Sequence, residues 1–501
     1  MMNAEQGTNR IGAPGGHVAA EGVHRADVSA VNSAVARSLY KARVQIYPKL
    51  VHGTFRTVKW AVMAVALAIY YVLPWVRWDR GPDSPNQAVL VDFAHQRFYF
   101  FGIEIWPQEV YYITGLLILG ALALFLVTAL FGRLWCGYAC PQTVWTDLFI
   151  AVERLMEGDR NARIRLAKSP WTLGKILRKV GKHAIWLVIA GATGGAWILY
   201  FHDAPDVIHN FLRGTAPGSA YLFFGVLTFT TYTLAGTMRE QVCTYMCPWP
   251  RIQAALTDEE ALNVTYRVDR GEPRGPHKKG DAWEGRGDCI DCFQCVAACP
   301  MGIDIRDGAQ LECINCALCI DACDEVMTKI GRPKGLIAYD TDLNCKRRKA
   351  GEPVRFRLFR PRTVLYGVLL CAVGAIMLFG LSDREGLGIN VLRERSPAFV
   401  LLSDGSVRNG YTVKVLNRTT REQRYTLTVD GPAGISARAT GLGEGEELDN
   451  FAVGADRVRP VRVYLTLAKP PEPSTPIVFH LREIESGETV VNPSVFLSGK
   501  E

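Results

Sequence analysis

The sequence predicts a multidomain protein in which an α-helical membrane bundle carries a short cysteine-rich module and is followed by an all-β domain. Three observations predict this organisation. Five apolar stretches are each close to the roughly 20 residues that cross a bilayer, eight cysteines fall between Asp288 and Asp324, and alternating apolar and polar residues follow the last apolar stretch. A chain of 501 residues, 49% of them hydrophobic, is long enough for all three parts.

The first part of the chain, residues 1–57, is largely polar and is rich in alanine and glycine over its first forty residues. It contains no apolar core of the kind found in a cleavable signal peptide. We therefore expect a cytoplasmic tail here. The first membrane span is then expected to act as the insertion signal.

The membrane bundle is predicted from the five nearly uncharged stretches. They cover residues 58–76, 111–131, 184–201, 220–238 and 363–381. Tryptophan and tyrosine at several of their ends are typical of the membrane–water interface. The third and fourth stretches are rich in glycine and threonine, and a buried helix of a soluble domain is the alternative for each.

Basic residues predict the orientation of the bundle, because cytoplasmic loops are enriched in lysine and arginine. Ten such residues lie between the second and third spans, whereas the loop between the third and fourth spans has only Arg213. We therefore expect the N-terminus and the cysteine-rich segment in the cytoplasm and everything after the fifth span outside. The net charge of +8 follows from this clustering beside the spans, so no nucleic-acid partner is expected.

The cysteine-rich segment contains two runs with the same spacing. The runs are Cys289, Cys292, Cys295 and Cys299, and Cys313, Cys316, Cys319 and Cys323. This spacing is that of a bacterial ferredoxin with two [4Fe-4S] clusters, in which the fourth cysteine of each run reaches the other cluster. The predicted ligand sets are therefore Cys289, Cys292, Cys295 and Cys323 for one cluster and Cys313, Cys316, Cys319 and Cys299 for the other. The first run is followed by Pro300, whereas the second is followed by Asp324. The alternatives to two clusters are two zinc sites or a disulfide framework.

Two further cysteine motifs follow the second and the fourth span. They are Cys136-Gly-Tyr-Ala-Cys140-Pro141 and Cys243-Thr-Tyr-Met-Cys247-Pro248. Residues four apart share one face of a helix, and proline disfavours helical geometry at the residue before it. We predict that these four residues, the membrane-edge cysteines, present their sulfurs at the inner membrane surface as catalytic groups. Such sulfurs could bind Cu(I), hold a further iron–sulfur cluster or cycle as dithiols, and buried cysteines that only pack are the alternative.

Short alternating stretches after the fifth span predict antiparallel strands. They lie at residues 411–416, 425–429, 461–465 and 477–481, with Gly, Pro, Asn and Asp between them. About 100 residues with this spacing predict a small immunoglobulin-like sandwich. The region contains no cysteine. We expect either a binding or positioning module outside the membrane or a purely structural cap.

These elements divide the chain into five predicted parts. Residues 1–57 form the tail, 58–260 the membrane domain with two Cys-x3-Cys-Pro motifs, and 261–345 the ferredoxin-like module with two [4Fe-4S] clusters. Residues 346–382 form a linker with the last transmembrane helix, and 383–501 form the periplasmic sandwich.

With these residues the chain resembles the cytochrome c oxidase accessory protein family of the CcoG, FixG and RdxA type, which are membrane-bound polyferredoxins. The resemblance rests on the two Cys-x3-Cys-Pro motifs, the double ferredoxin run and the sandwich after the last span. It covers nearly everything from the first span to the C-terminus. It implies a multi-pass protein of the bacterial inner membrane that takes part in assembling cbb-type cytochrome c oxidase and reduces Cu(II) to Cu(I).

Under this hypothesis electrons pass from a cytoplasmic donor through the two clusters to copper held at the membrane-edge cysteines. The protein would then be an oxidoreductase acting on metal ions, with the oxidase or its copper chaperones as partners. One alternative is an electron-transfer subunit of another respiratory complex with a quinone or flavin partner, although no Gly-rich dinucleotide fingerprint opens a helix. The other is a non-redox scaffold for oxidase assembly.

Overall fold

The computed structural model describes residues 45–80, 84–278, 280, 283–382, 386–419, 421–443, 445–455, 457–468 and 472–498. The chain divides into two compact units, Met1–Ile46 and Tyr47–Glu501. Most of the predicted tail lies outside the described residues. All elements given below belong to the second unit.

The helices of the described residues make up most of the membrane part and a smaller share of the cysteine-rich part. In chain order they are α1 Thr54–Val72, α2 Tyr111–Phe131, α3 Leu134–Tyr138, α4 Pro141–Glu157, α5 Arg160–Lys168, α6 Leu173–Ile198, α7 Ala204–Arg213, α8 Gly218–Thr231, α9 Trp249–Leu256, α10 Val268–Gly271, α11 Gln294–Ala298, α12 Leu318–Lys329, α13 Asp342–Lys349 and α14 Pro361–Ser382. Wider π turns occupy Tyr232–Met238 and Val242–Met246.

Three helices of the described residues are long and apolar enough to cross a membrane. They are α1 with its extension to Trp75, α2 and α14, and they match the first, second and fifth predicted spans within a few residues. The predicted third span lies in α6, which begins earlier, at Leu173. The predicted fourth span starts in α8 and continues into the π turn that ends at Met238. The spanning role of these last two segments, and hence the number of five spans, stays a prediction.

A small antiparallel sheet between α1 and α2 was not predicted from the sequence. Its strands, in spatial order, are β1 Val89–Asp92, β2 Arg97–Phe100 and β3 Ile103–Ile105. Gln87, which is fully buried beside the sheet, donates from its side-chain amide to the carbonyl of Leu199 at 2.7 Å. Its Oε1 accepts a hydrogen bond from the backbone N–H of Ala204 at 3.1 Å. The sheet is thereby fixed to the end of α6.

The cysteine-rich module is closed by two antiparallel strands, β4 Asn263–Tyr266 and β5 Ile337–Asp340, and it packs directly on the membrane domain. Asp321 of α12 caps the first membrane helix, because its carboxylate accepts hydrogen bonds from the backbone N–H groups of Phe55 at 3.3 Å and Arg56 at 2.7 Å. Gly53 leaves room for this contact, since a Cβ there would lie 2.3 Å from the Asp321 carboxylate.

Replacement of Asp321 by alanine is expected to weaken this connection by about 1–2 kcal/mol, because α1 loses the acceptor at its first turn. Asp321→Asn keeps an oxygen acceptor and should retain most of that stability. Melting temperatures of the two variants in detergent make the comparison. Equal melting temperatures for Asp321→Ala and the wild type would contradict the capping role.

The C-terminal part is a sandwich of two antiparallel sheets. Its strands are β6 Leu387–Arg393, β7 Val400–Leu401, β8 Val407–Asn417, β9 Gln423–Asp430, β10 Ser436–Thr440, β11 Phe451–Val453, β12 Arg457–Leu467, β13 Ser474–Glu483 and β14 Thr489–Leu497. One sheet has the order β10-β12-β8-β6, with β7 paired to β8, and the other has the order β11-β9-β13-β14. Tyr411, Phe451 and Phe479 are fully buried in the core. The four predicted strands lie within β8, β9, β12 and β13, so the all-β prediction for this region is confirmed.

Candidate functional site

Two cavities lie within the cysteine-rich module, and each is lined by four cysteines of one predicted ligand set. The first cavity is lined by Cys289, Cys292, Cys295 and Cys323, which we call the first set. The second is lined by Cys299, Cys313, Cys316 and Cys319, which we call the second set. Cys295 also borders the second cavity, so the two cavities adjoin each other.

The two runs exchange their last cysteines between these cavities. Cys323 of the second run lines the first cavity, and Cys299 of the first run lines the second. This exchange is the arrangement of a ferredoxin with two clusters. The geometry thus brings each predicted set of four thiols together, and the ligand assignment itself stays a prediction.

The backbone of both runs has the same unusual conformation on each side of the second cysteine. Asp291, Phe293, Asn315 and Ala317 have φ values between 53° and 59°. Asn and Asp tolerate this left-handed region, whereas Phe and Ala occupy it at an energetic cost. Left-handed residues within a turn direct neighbouring backbone N–H groups into a concavity that binds anions. Such a concavity fits the negative charge of a thiolate-ligated iron–sulfur cluster.

Hydrogen bonds to sulfur add to this fit in the second set. Burial raises the pKa of the Cys299 thiol to about 12. The backbone N–H groups of Ile303 and Met301 donate to its sulfur, and these hydrogen bonds lower the pKa but do not outweigh burial. Burial likewise raises the pKa of the Cys313 thiol to about 11, although the backbone N–H group of Asn315 donates to its sulfur and lowers the pKa. These thiols are therefore protonated at neutral pH without iron, and cluster binding must release their protons.

The two Cys-x3-Cys-Pro motifs lie just beyond the second span and the π turn that ends at Met238. Cys136 belongs to the short helix α3, and Cys243 to the π turn Val242–Met246. Cys140 and Cys247 stand outside these turns with extended ψ angles of 128° and 123°, as the prolines that follow them favour. The helical turn therefore ends before the second cysteine of each motif, and the regular α-helical face expected from the spacing is not formed.

The membrane-edge cysteines nevertheless form a single electrostatic group. The pKa of the Cys243 thiol is raised to about 12. Burial is the largest cause, and the neighbouring thiols of Cys140, Cys136 and Cys247 also raise this pKa. Burial also raises the pKa of Cys136 to about 11. The chain segments of the two motifs are also in contact, because Gln142, two residues after Cys140, donates to the carbonyl oxygen of Arg239, four residues before Cys243, at 3.3 Å. The sequence leaves open whether the motifs make one site or two, and the structure places them side by side.

No three His, Cys, Asp or Glu side chains of the described residues are arranged to hold one metal ion. A [4Fe-4S] cluster differs from a single ion, because each of its thiolate ligands binds a different iron atom. Its four sulfurs therefore do not converge on one point. The membrane-edge cysteines, for their part, do not form a ready-made site for a single ion.

The first Cys-x3-Cys-Pro motif touches the second cysteine run directly. A Cβ on Gly137 would lie 2.6 Å from the carbonyl oxygen of Ile314 and 3.0 Å from the Cα of Cys316. The hydroxyl of Tyr138 donates to the carbonyl oxygen of Cys316 at 3.3 Å, and Cys136 and Cys316 belong to one buried apolar cluster. The second set is thus in contact with the short helix that carries Cys136.

The second Cys-x3-Cys-Pro motif also borders the cysteine-rich module, across a small cavity. The cavity has a volume of about 30 Å³, which is enough for a water molecule. Cys243, Lys59 and Asp147 line it from the membrane domain, and Pro300 and Met301, which directly follow the first run, line it from the module. Both motifs therefore face the same side of the module.

Arg133 and Gln253 are buried beside the membrane-edge cysteines, and sequence reasoning gave neither of them a role there. Oε1 of Gln253 accepts hydrogen bonds from Sγ of Cys136 and from Nε of Arg133, both at 3.2 Å. In the sequence Arg133 is one of the ten basic residues that predict orientation. Its position three residues before Cys136 is the signal that points to the site.

Models of known families match three parts of the chain. A 4Fe-4S binding domain matches residues 113–157, which contain Cys136 and Cys140. A 4Fe-4S dicluster domain matches residues 238–342, which contain Cys243, Cys247 and both cysteine runs. The immunoglobulin-like fold at the C-terminal end of FixG matches residues 377–499.

Curated relatives match over most of their length. The nitrogen fixation protein FixG of Rhizobium meliloti (strain 1021) is 52% identical over 478 residues, covering 89% of this chain and 91% of its own. Protein RdxA of Cereibacter sphaeroides is 49% identical over 451 residues, covering 89% of this chain and 94% of its own. The chain belongs to the FixG/RdxA family. The predicted family is therefore confirmed.

As a member of the FixG/RdxA family with 4Fe-4S domains, the protein is an iron–sulfur electron-transfer protein associated with a membrane. The crystal structure of a FixG-related protein from Vibrio parahaemolyticus is 26% identical and covers 23% of this chain and 97% of that chain, with a TM-score of 0.20. The immunoglobulin-like assignment rests on the family model for residues 377–499 and on the two sheets described above.

Proposed function

We propose that this member of the FixG/RdxA family reduces Cu(II) to Cu(I) for the assembly of a cbb-type cytochrome c oxidase. The observation that carries the proposal is the contact of Gly137, in the first Cys-x3-Cys-Pro motif, with Cys316 of the second set. This contact joins an iron–sulfur module to a group of four sulfurs, the ligand type that soft metal ions prefer. Each Cu(II) ion takes up one electron, and a cytoplasmic donor is oxidised to supply it.

In this proposal the first and second sets each hold one [4Fe-4S] cluster, which when bound takes up and releases one electron at a time. The membrane-edge cysteines bind copper as a substrate. Their thiolates favour Cu(I) over Cu(II), so they make the reduction more favourable. Cys247 is exposed whereas Cys136 is buried, so copper approaches from the side of Cys247, where exposed Met246 adds a thioether. The four sulfurs then converge around the ion.

The proposed setting is the bacterial inner membrane. The orientation predicted from the basic residues places the cysteine-rich module in the cytoplasm, where its donor is found, and the sandwich in the periplasm. The sandwich is then a binding or positioning module for the oxidase or for its copper chaperones. The family resemblance implies these partners.

Replacing both Cys243 and Cys247 with serine is expected to abolish Cu(II) reduction while the cluster signals remain. Purified protein is reduced with dithionite under anaerobic conditions and mixed with Cu(II). Cluster oxidation is followed by electron paramagnetic resonance, and Cu(I) by a chromogenic chelator. Cys371→Ser is the matched control, because Cys371 is an exposed thiol on α14, and it should behave as the wild type.

Each other outcome has a definite meaning. Full Cu(I) formation in the double variant would show that the membrane-edge cysteines are not the copper site. Wild-type clusters that stay reduced in the presence of Cu(II) would favour an electron-transfer subunit with a quinone or flavin partner. Clusters that cannot be reduced reversibly would favour an assembly scaffold.

A further inference from the structure

A buried arginine lies near each cysteine set, Arg306 in the cavity of the first set and Arg133 at the carbonyl of Leu311, two residues before Cys313, but the two arginines differ in their partners. Arg306, only 8% exposed, lines the cavity of the first set. Its guanidinium forms ion pairs with Asp304 at 2.6 Å and with Asp291. The positive charge beside the first set is therefore compensated by two carboxylates.

Arg133, also 8% exposed, has no such compensation. Its hydrogen bonds go to Oε1 of Gln253 at 3.2 Å and to the carbonyl oxygen of Leu311, and both acceptors are neutral. Across the part of the chain that the structure describes, no carboxylate oxygen pairs with its guanidinium within 4.0 Å. Because a buried charge without a counter-charge is costly, we expect a negative group beside Arg133 in the complete protein.

Arg133 lies between a membrane-edge cysteine and the second set. It donates to the carbonyl oxygen of Leu311, two residues before Cys313, and it shares the acceptor Oε1 of Gln253 with Sγ of Cys136. Burial raises the pKa values of the Cys136, Cys243 and Cys313 thiols, and the charge of Arg133 lowers all three. Cys313 belongs to the second set, and the other two are membrane-edge cysteines. One guanidinium thus faces both thiol groups where they meet, next to the contact between Gly137 and Cys316.

We propose that Arg133 is a positioning residue that raises the reduction potential of the cluster bound by the second set above that of the other cluster. The second set then holds the electron next to the membrane-edge cysteines and is the exit of the module. This inference rests on the proposed function for the presence of two clusters and for the direction of electron flow.

The physical reason is charge. Reduction by one electron adds one unit of negative charge at the ligand set, and cluster potentials rise when positive charge and hydrogen bonds to sulfur stabilise that charge. Arg133 offers an uncompensated positive charge to the second set, whereas the charge of Arg306 is already offset. Backbone N–H groups of Ile303, Met301 and Asn315 donate to sulfurs of the second set, against the N–H group of Val296 that donates to Cys295 in the first set, and the hydrogen bonds to the second set act in the same direction. The electron comes from the cytoplasmic donor, which is oxidised, and leaves when Cu(II) becomes Cu(I).

The test is a redox titration of the full-length protein, followed by electron paramagnetic resonance. Arg133→Gln should lower the midpoint potential of one cluster and leave the other unchanged, while Arg133→Lys should keep both. Arg251→Gln is the matched control, since Arg251 is an exposed arginine of α9, the helix that carries Gln253, and it should also keep both potentials. Cys313→Ser identifies the signal that belongs to the second set.

Three results would overturn the inference: unchanged potentials in Arg133→Gln, a shift confined to the cluster of the first set, or loss of both cluster signals in Arg133→Lys as well as Arg133→Gln. The last result would show that the side chain serves the fold rather than the potential. The titration needs no copper. If the titration shows a selective shift but the Cu(II) assay shows no Cu(I) formation, the role of Arg133 is supported and the proposed copper reductase activity is contradicted.

Discussion

Gly137→Val is expected to slow the delivery of electrons from the second set to the membrane-edge cysteines. A side chain at this position would press on the carbonyl of Ile314 and on the backbone of Cys316, which cannot move without displacing the second set. Overpacking of this kind costs about 1–3 kcal/mol. The separation that it forces lengthens the path of the electron. Dithionite-reduced variant protein should therefore be oxidised more slowly by Cu(II) in a rapid-mixing experiment.

The amplitude of the cluster signal before mixing separates this effect from cluster loss, and we expect it to be unchanged. Gly174→Val is the matched control, because a Cβ on Gly174, near the start of α6, would meet nothing within 4 Å. It should react at the wild-type rate. Wild-type kinetics in Gly137→Val would show that electrons leave the module elsewhere.

Glu153→Ala is expected to destabilise the membrane domain by about 3–5 kcal/mol, the usual cost of removing one partner of a buried ion pair. Glu153 is only 4% exposed. It forms ion pairs with Arg163, with Lys182 at 3.3 Å and with Arg239 at 2.7 Å. These cations come from α5, from α6 and from the chain after the first π turn, so the variant leaves buried positive charges facing one another. The melting temperature in detergent measures the loss.

An exposed ion pair supplies the control for this variant. Glu325 pairs with Lys329 one turn along α12, with side chains that are 45% and 67% exposed, and Glu325→Ala should cost at most about 0.5–1 kcal/mol. A similar loss from both replacements would contradict the importance of burial at Glu153.

The stabilisation by Glu153 should also depend on pH. Burial raises the pKa of its carboxyl, but the charges of Arg239, Arg163 and Lys182 outweigh burial and hold the pKa below the ordinary value. A lowered pKa in the folded state gives a stabilisation that is complete above the unfolded value, about 4.3 for glutamate, and is lost as the pH falls through the folded value. The difference in melting temperature between the wild type and Glu153→Ala should therefore narrow in acid.

Features encoded by local spacing could be predicted from the sequence. Each cysteine run needs only its own turns to present its first three sulfurs, and the ferredoxin spacing predicts that the fourth lines the cavity of the other run. Strand alternation depends on neighbouring residues, and the four predicted strands of the sandwich are present. Apolar length is also local, and α1, α2 and α14 match predicted spans.

Features that depend on packing between distant segments could not be predicted. The contact of Gly137 with Cys316 joins residues that are far apart in the sequence, and no pattern near Gly137 indicates it. The roles of Arg133 and Gln253 appear only once α9 packs beside α3. The sheet β1–β3 is a partial exception. Its strands are short, but the aromatic run at residues 98–101 is of the kind enriched in strands.

The cap that Asp321 provides for α1 couples the first turn of that helix to the folding of the cysteine-rich module. The first membrane helix is synthesised long before residue 321, so its first turn lacks this acceptor until the cysteine-rich module has folded. Asp321 lies in α12 between Cys319 and Cys323, and iron bound by these cysteines would favour the conformation that forms the cap. By reciprocity, whatever stabilises the cap also stabilises the iron-loaded module. Protein without iron in this module would therefore have a less firmly capped first helix.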